Sequence, residues 1–231
     1  MLYILRMTDG FIIVLIILIF AGIGVAGWYF EKKRREAIAA LAHSLGLHFT
    51  HSKDRQLIHR LSYLDKLKQG SNRYAYNVIS GKLRGYEILA FDFHYETYSS
   101  DSKGRRRTNH HYLSFVTTQL PRSFPELVIA PEGFFSKIIQ AIGFDDIDFE
   151  SAEFSKKYVV RSKDRKFAYD FCHAQVIDFL LKQPVNHLEV EGDCLAISQN
   201  RRFKVEEVQE RLDHLISLRE LIPDYLIAHP S

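Results

Sequence analysis

The chain has 231 residues, with 31 Lys and Arg against 28 Asp and Glu, 46% hydrophobic and 13% aromatic content, and two cysteines. Enough apolar material is present for a real core, which excludes a disordered tail, and two thiols exclude a disulfide framework. A net charge of +3 is no nucleic-acid signature at this size.

Phe11–Phe30 is an unbroken uncharged, mostly apolar run, FIIVLIILIFAGIGVAGWYF, followed at once by Glu31, Lys32, Lys33, Arg34, Arg35 and Glu36. As a helix it is about 30 Å long, the hydrocarbon thickness of a bilayer. It is expected to be a single transmembrane helix. Four cations follow the run and only Arg6, offset by Asp9, precedes it, so the positive-inside rule expects residues 1–10 as a short external tail and the body in the cytoplasm. A cleaved signal would carry its charge before the apolar stretch, and a KKRR block after the cleavage point opposes export.

Gly22, Gly24 and Gly27 spell GxGxxG. That dinucleotide fingerprint needs a short preceding strand and a carboxylate about 20 residues on, where this chain has Leu45, Gly46, Leu47 and His48. The glycines fit a smooth helix face better, one on which self-association could form.

Residues 31–70 read as a juxtamembrane helical region, with Ala37, Ile38, Leu41, Ala42 and Leu45 at helical spacing up to Gly46. A second helical stripe comes after Asp54: Leu57, Ile58, Leu61, Leu64 and Leu67, ended by Gly70. Residues 71–222 form the expected α+β cytoplasmic domain and 223–231 a tail. Tyr74–Leu83, Tyr86–Tyr98 and His111–Gln119 are rich in aromatic and β-branched residues and are parted by turn formers, the pattern of antiparallel strands.

Pro121, Pro125 and Pro131 are expected to interrupt the next segment, leaving a short strand at Leu127–Ala130 and then a helix at Gly133–Gly143. Short strands are expected at Ile147–Phe149 and Phe154–Val160, and a long helix at Asp164–Lys182. His187–Glu191 and Cys194–Gln199 read as strands joined at Gly192 and Asp193, and a last amphipathic helix carries Val205, Val208, Leu212, Leu215 and Ile222 before Pro223. The expected fold class is α+β: an N-terminal transmembrane helix, then an antiparallel-sheet domain with packed amphipathic helices.

The stretch Phe144–Asp164, FDDIDFESAEFSKKYVVRSKD, together with NVISG at Asn77–Gly81, AFDFHY at Ala90–Tyr95 and APE at Ala130–Glu132, resembles a group of uncharacterised bacterial membrane-anchored proteins. Their motif order is NVxxG, FDYxY, LPxF, PE, DIDF, FSxxY. Phe93 departs from it where a tyrosine is common, and so does the KGRRR hairpin tip. The resemblance implies a bacterial membrane-tethered domain and transfers no site; taken with the charges that follow the apolar run, the expected location is the bacterial inner membrane.

Three constellations could carry chemistry. If Tyr98 opposes Thr108, then Phe93 faces Leu113 and Phe91 faces Phe115, and strict alternation puts Asp92, His94, Glu96, His110, Tyr112 and Ser114 together on the other face. Asp92, His94, Glu96 and His110 are candidate ligands for Zn²⁺ or a similar metal. Lys103, Arg105, Arg106 and Arg107 at the tip form, with Lys32, Lys33, Arg34 and Arg35, a candidate set of membrane contacts. Asp145, Asp146, Asp148, Glu150 and Glu153 alternate with aromatics, which favours structural use over acid–base chemistry.

No nucleophile elbow, Walker loop, HExxH or CxxC pair occurs, and no cofactor is expected. The expected function is a membrane-tethered interaction or scaffold module, with the lipid bilayer and a protein as partners rather than nucleic acid. Two alternatives stand beside it: a metal-assisted hydrolase on the Tyr86–Gln119 hairpin, and a small-ligand or lipid-binding sensor.

Overall fold

An uninterrupted helix, α1 (Leu2–Ser44), takes in residues 2–10 of the segment expected as an external tail. The computed structural model describes residues 2–101, 104–131 and 146–228, with side chains from Val14 onward. These divide into two compact units, Met1–Ala40 and Leu41–Ser231.

In the first unit the helix is long and apolar enough to cross a membrane, and none of its apolar window is buried. Leu18, Phe20, Trp28 and Phe30 are each more than 60% exposed, at 63, 69, 63 and 67%. A contiguous apolar surface of that kind has no place in water, and hydrocarbon is the solvent that suits it. Gly22, Gly24 and Gly27 sit inside α1 with no strand before them, so the turn that a dinucleotide fingerprint requires is absent.

The second unit is built on six antiparallel-paired strands: β1 (His48–Thr50), β2 (Ser71–Leu83), β3 (Tyr86–Ser100), β4 (Arg106–Ala130), β5 (Val159–Ser162) and β6 (Leu188–Gln199). Order in the sheet is β1-β2-β3-β4-β5, with β6 also paired to β4. The β3–β4 register pairs Tyr98 with Thr108, Phe93 with Leu113 and Phe91 with Phe115, as the alternation of apolar residues expects.

Phe91, Phe93, Tyr95, Leu113 and Phe115 therefore share one face. Leu57 and Ile58 of α2 (Arg55–Arg60) and Leu64 and Leu67 around a 3₁₀ turn (Asp65–Lys68) belong to the same buried cluster. The stripe expected as one helix is thus two pieces, α2 being closed at Leu61. Asp54 starts α2 by accepting from the Leu57 N–H at 2.8 Å, and its backbone is bridged to Ala75 of β2. The opposite side of the sheet packs against α6 (Val205–Leu221), which touches β3, β4 and β6.

Pro121 and Pro125 do not end β4; they fall where its pairing with β6 changes register, between Gln119 and Leu127. A proline cannot donate to a ladder, and such irregularities are where a strand tolerates one. At Gly192 (φ +59) the chain reverses, and the Ser198 N–H donates to the His187 carbonyl at 2.9 Å, bringing the two ends of β6 together. Its arms pair with separate stretches of β4, residues 194–199 with 114–119 and 188–190 with 127–129.

Three expectations in the second half need correction. Residues 154–157 are not strand but part of α3 (Ala152–Lys157), begun by the Ser151 hydroxyl accepting from the Phe154 N–H. Phe154 and Tyr158 lie four apart and pack on one another, a helical spacing that their aromatic character disguises as strand. The long helix is also two, α4 (Arg165–Phe171) and α5 (Ala174–Lys182), because His173 acts as a new N-cap, accepting from the Gln175 N–H. Ile147–Phe149 is not strand, though the Ile147 N–H donates to the Val160 carbonyl. A last short helix, α7 (Asp224–Ile227), comes after Pro223. The helix expected at Gly133–Gly143 lies outside the described residues.

Candidate functional site

Cross-strand pairing sets Glu96 opposite His110 and His94 opposite Tyr112, two pairs further from the hairpin tip and so on the same face of the sheet. As a result His94 Nε2 lies 3.1 Å from His110 Nδ1, and His110 Nδ1 lies 3.5 Å from Glu96 Oε1. One ligand-type atom from each of the three lies within 4.8 Å of the other two.

His94 is 2% exposed, with the Tyr74 ring stacked 4.5 Å away and Tyr112 on another side. Burial holds its ring below the usual imidazole range, so it is neutral at pH 7. Its Nδ1 is 3.3 Å from the Asn72 carbonyl, and a carbonyl only accepts. In the neutral ring the proton is therefore on Nδ1, and Nε2 offers a bare lone pair toward His110.

Asn72 contributes a second time: its side-chain amide donates to Glu96 Oε1 at 2.7 Å. Tyr98 Oη donates to the other oxygen at 3.2 Å. These hydrogen bonds, the Asn72 bond foremost, lower the carboxyl's pKa and keep it ionised. Asn72 adopts φ +47, a left-handed conformation that asparagine tolerates better than most residues. Gly70, two residues earlier and at φ +62, passes so close to the Glu96 carbonyl that a Cβ there would collide with it.

Asp92, on the same sheet face, is turned to other work. Buried at 3% exposure, it accepts from Asn77 Nδ2 at 2.9 Å and from Ser114 Oγ at 2.5 Å, and Ser114 Oγ in turn accepts from the Phe203 N–H at 2.9 Å. The structure thus brings His94, Glu96 and His110 together and places Asp92 in a separate network. Asn72 and Tyr98 were not singled out from sequence. A lone Asn after Gly70 and Ser71, a left-handed signal, was the available clue.

The tip cations are exposed: Arg105 pairs with Asp101 at 3.3 Å and Arg106 lies 3.9 Å from the centre of the Tyr98 ring. Lys103 lies outside the described residues. Near the end of the apolar helix Lys32 pairs with Glu36 at 3.9 Å and lies over Trp28, while Lys33 lies over Tyr29. Arg34 and Arg35 come next on the same helix.

A cleft of about 530 Å³ opens elsewhere, between α2 and the β3–β4–β6 region, with Leu57, Leu61, Tyr63, Leu89, Thr117 and Cys194 in its wall. It shares no residue with the His94 group. Burial pushes the Cys194 thiol up to about 12 and raises Cys172 as well, so neither is a thiolate nucleophile at neutral pH. A third polar group is wholly interior: Asp65, Lys66, His187 and Glu189 are each at most 3% exposed.

These features define an α+β antiparallel-sheet domain preceded by a membrane-length apolar helix. No family model matches the chain, and no curated protein matches it by sequence. Among solved structures it is similar to the mycobacterial trehalose monomycolate transport factor A, TtfA, with a TM-score of 0.56 at 13% identity over 82% of this chain and 92% of that one. At this identity the likeness is one of fold.

Proposed function

We propose that this chain is a bacterial inner-membrane protein, crossing once with Lys32–Arg35 on the cytoplasmic side, whose sheet domain is a non-catalytic module serving a membrane transport process through a protein partner. The observation that carries the reading is the combination of an apolar helix with none of its apolar window buried and a sheet-domain fold shared over 92% of a transport factor's chain. Gly22, Gly24 and Gly27, with open space around each, fit self-association of the anchor as a secondary feature.

A hydrolase is less well supported. The His94 group does not line the 530 Å³ cleft, and both thiols are protonated. In-cell cross-linking of the full chain, with purification from its own membranes, tests the proposal. An integral membrane protein cross-linked to the β-sheet domain is expected. Recovery of the chain alone, with no specific cross-linked partner, overturns it.

A further inference from the structure

We propose that His94, Glu96 and His110 form a binding site for a divalent transition-metal ion of the zinc class, with Asn72 positioning two of the three ligands. The inference stands apart from the transport reading and does not depend on it.

The spacing is the first argument. Zinc–ligand bonds of 2.0–2.1 Å at tetrahedral angles put neighbouring ligand atoms about 3.3 Å apart. The observed separations, 3.1 Å between His94 Nε2 and His110 Nδ1 and 3.5 Å between His110 Nδ1 and Glu96 Oε1, bracket that edge. Little movement is needed for an ion to replace the proton between the two rings.

The outer contacts are the second argument. Metal-bound histidines almost always donate their other ring N–H to a carbonyl or carboxylate, which fixes the tautomer and the ring's direction. His94 does this through Nδ1 to the Asn72 carbonyl, which leaves Nε2 as the ligand atom. The same Asn72 holds the Glu96 carboxylate through its amide, and Arg55 Nη2 donates to Asn72 Oδ1 at 3.1 Å. A solvated strand face needs none of this: a buried imidazole, its tautomer set, and a carboxylate held by two donors.

The donor set decides the ion. Two imidazoles with one carboxylate suit Zn²⁺, Co²⁺ or Ni²⁺, whereas Ca²⁺ and Mg²⁺ require oxygen cages. Three protein ligands are one short of a closed structural site. His110, with its side chain 52% exposed, is the open side at which a water or an outside oxygen completes the shell.

The test uses the untagged full-length protein in detergent, stripped with chelator and titrated with Co²⁺ and then Zn²⁺. One equivalent is expected, with the intense visible absorption of tetrahedral Co²⁺ lost on adding Zn²⁺. His110→Ala, at an exposed position that does not hold up the fold, and Glu96→Gln should each weaken binding at least about tenfold. Asn72→Ala should weaken it about 10–100-fold and shift the Co²⁺ bands, a change that loss of stability alone does not produce. His51→Ala, at an exposed histidine elsewhere, should bind as the parent does. Six-coordinate Co²⁺ absorption, less than one equivalent bound, or equal affinity in the parent and His110→Ala overturns the site.

Discussion

Asn77 donates through its side-chain amide to Asp92 at 2.9 Å, joining the NVISG and AFDFHY segments by a buried hydrogen bond. Asn77 sits at φ +51, beside the shift in register between Tyr76 and Ile79, so the irregularity in β2 aims its amide at β3. Ser114 and the Phe203 N–H extend the network to β4 and to the segment before α6. Asp92 is thus a structural acceptor. Asp92→Ala should cost about 2–4 kcal/mol, because it strands buried donors from two elements, and a lowered urea midpoint with unchanged slope would show it. Co²⁺ binding by the folded fraction should persist; its loss would place Asp92 in the metal set after all.

The DIDF and FSxxY segments are coupled in the same manner. Ser155 Oγ lies 3.2 Å from both the backbone N and O of Phe149, and Tyr158 Oη donates to the Leu180 carbonyl while accepting from the Val185 N–H. Tyr158→Phe removes the hydroxyl and leaves both backbone groups without it inside the protein. A loss of about 1–3 kcal/mol is expected in denaturant unfolding. A change within experimental error would mean that other groups replace the hydroxyl there.

Alternation of apolar residues made part of the fold legible and left the rest hidden. The apolar residues Phe91, Phe93, Leu113 and Phe115 dictated the β3–β4 register, and with it which polar side chains share the other face. Alternation is silent on what covers that face. Phe203 and α6 bury its Asp92–Ser114 end, while the end at Glu96 and His110 remains open, so residues of one pattern have two fates. The role of Asn72 was invisible because it depends on a backbone carbonyl and a left-handed φ rather than on residue type alone. Phe154 and Tyr158 misled because aromatic residues favour strands until a Ser151 cap fixes a helix.

Glu189 gives a pH dependence with a definite sign. Its Oε1 accepts from the Asp65 N–H at 2.8 Å while Oε2 has no partner among the described residues, and burial raises its carboxyl well above the usual range, the Asp65 N–H bond and Lys68 opposing the rise and the Asp65 and Glu191 charges adding to it. A raised folded-state pKa contributes stability that is full below the unfolded value near 4.5 and is lost as pH rises through the folded value. Glu189→Gln keeps an acceptor for Asp65 and removes the charge. It should raise the melting temperature at pH 8, by about 2–4 °C for each kcal/mol gained, and change it little at pH 4. Equal effects at the two pH values would refute the assignment.

His187 carries the opposite sign. Fully buried, with Lys66 adding to the effect, its imidazole is pushed down to about 3. Its Nδ1 lies 3.3 Å from Ser198 Oγ, and Nε2 has no partner among the described residues. The unfolded chain takes up a proton near pH 6.5 that the folded one refuses, so stability falls as pH drops from about 6.5 toward 3. His187→Gln should flatten that acid limb in urea unfolding measured from pH 7 to pH 4. An acid limb as steep as the parent's would assign it to the carboxylates instead.

The proposed orientation of the anchor rests on four cations, and removing their charge tests it directly. Replacing Lys32, Lys33, Arg34 and Arg35 together by Gln leaves Glu31 and Glu36 after the apolar run and Arg6 with Asp9 before it. The bias that retains the C-terminal flank in the cytoplasm is then gone, and insertion in both directions is expected. Protease added to intact spheroplasts should leave the parent's sheet domain untouched and degrade it in part of the quadruple variant's population. Digestion of the parent domain under those conditions would reverse the assigned topology and with it the compartment in which a partner must be sought.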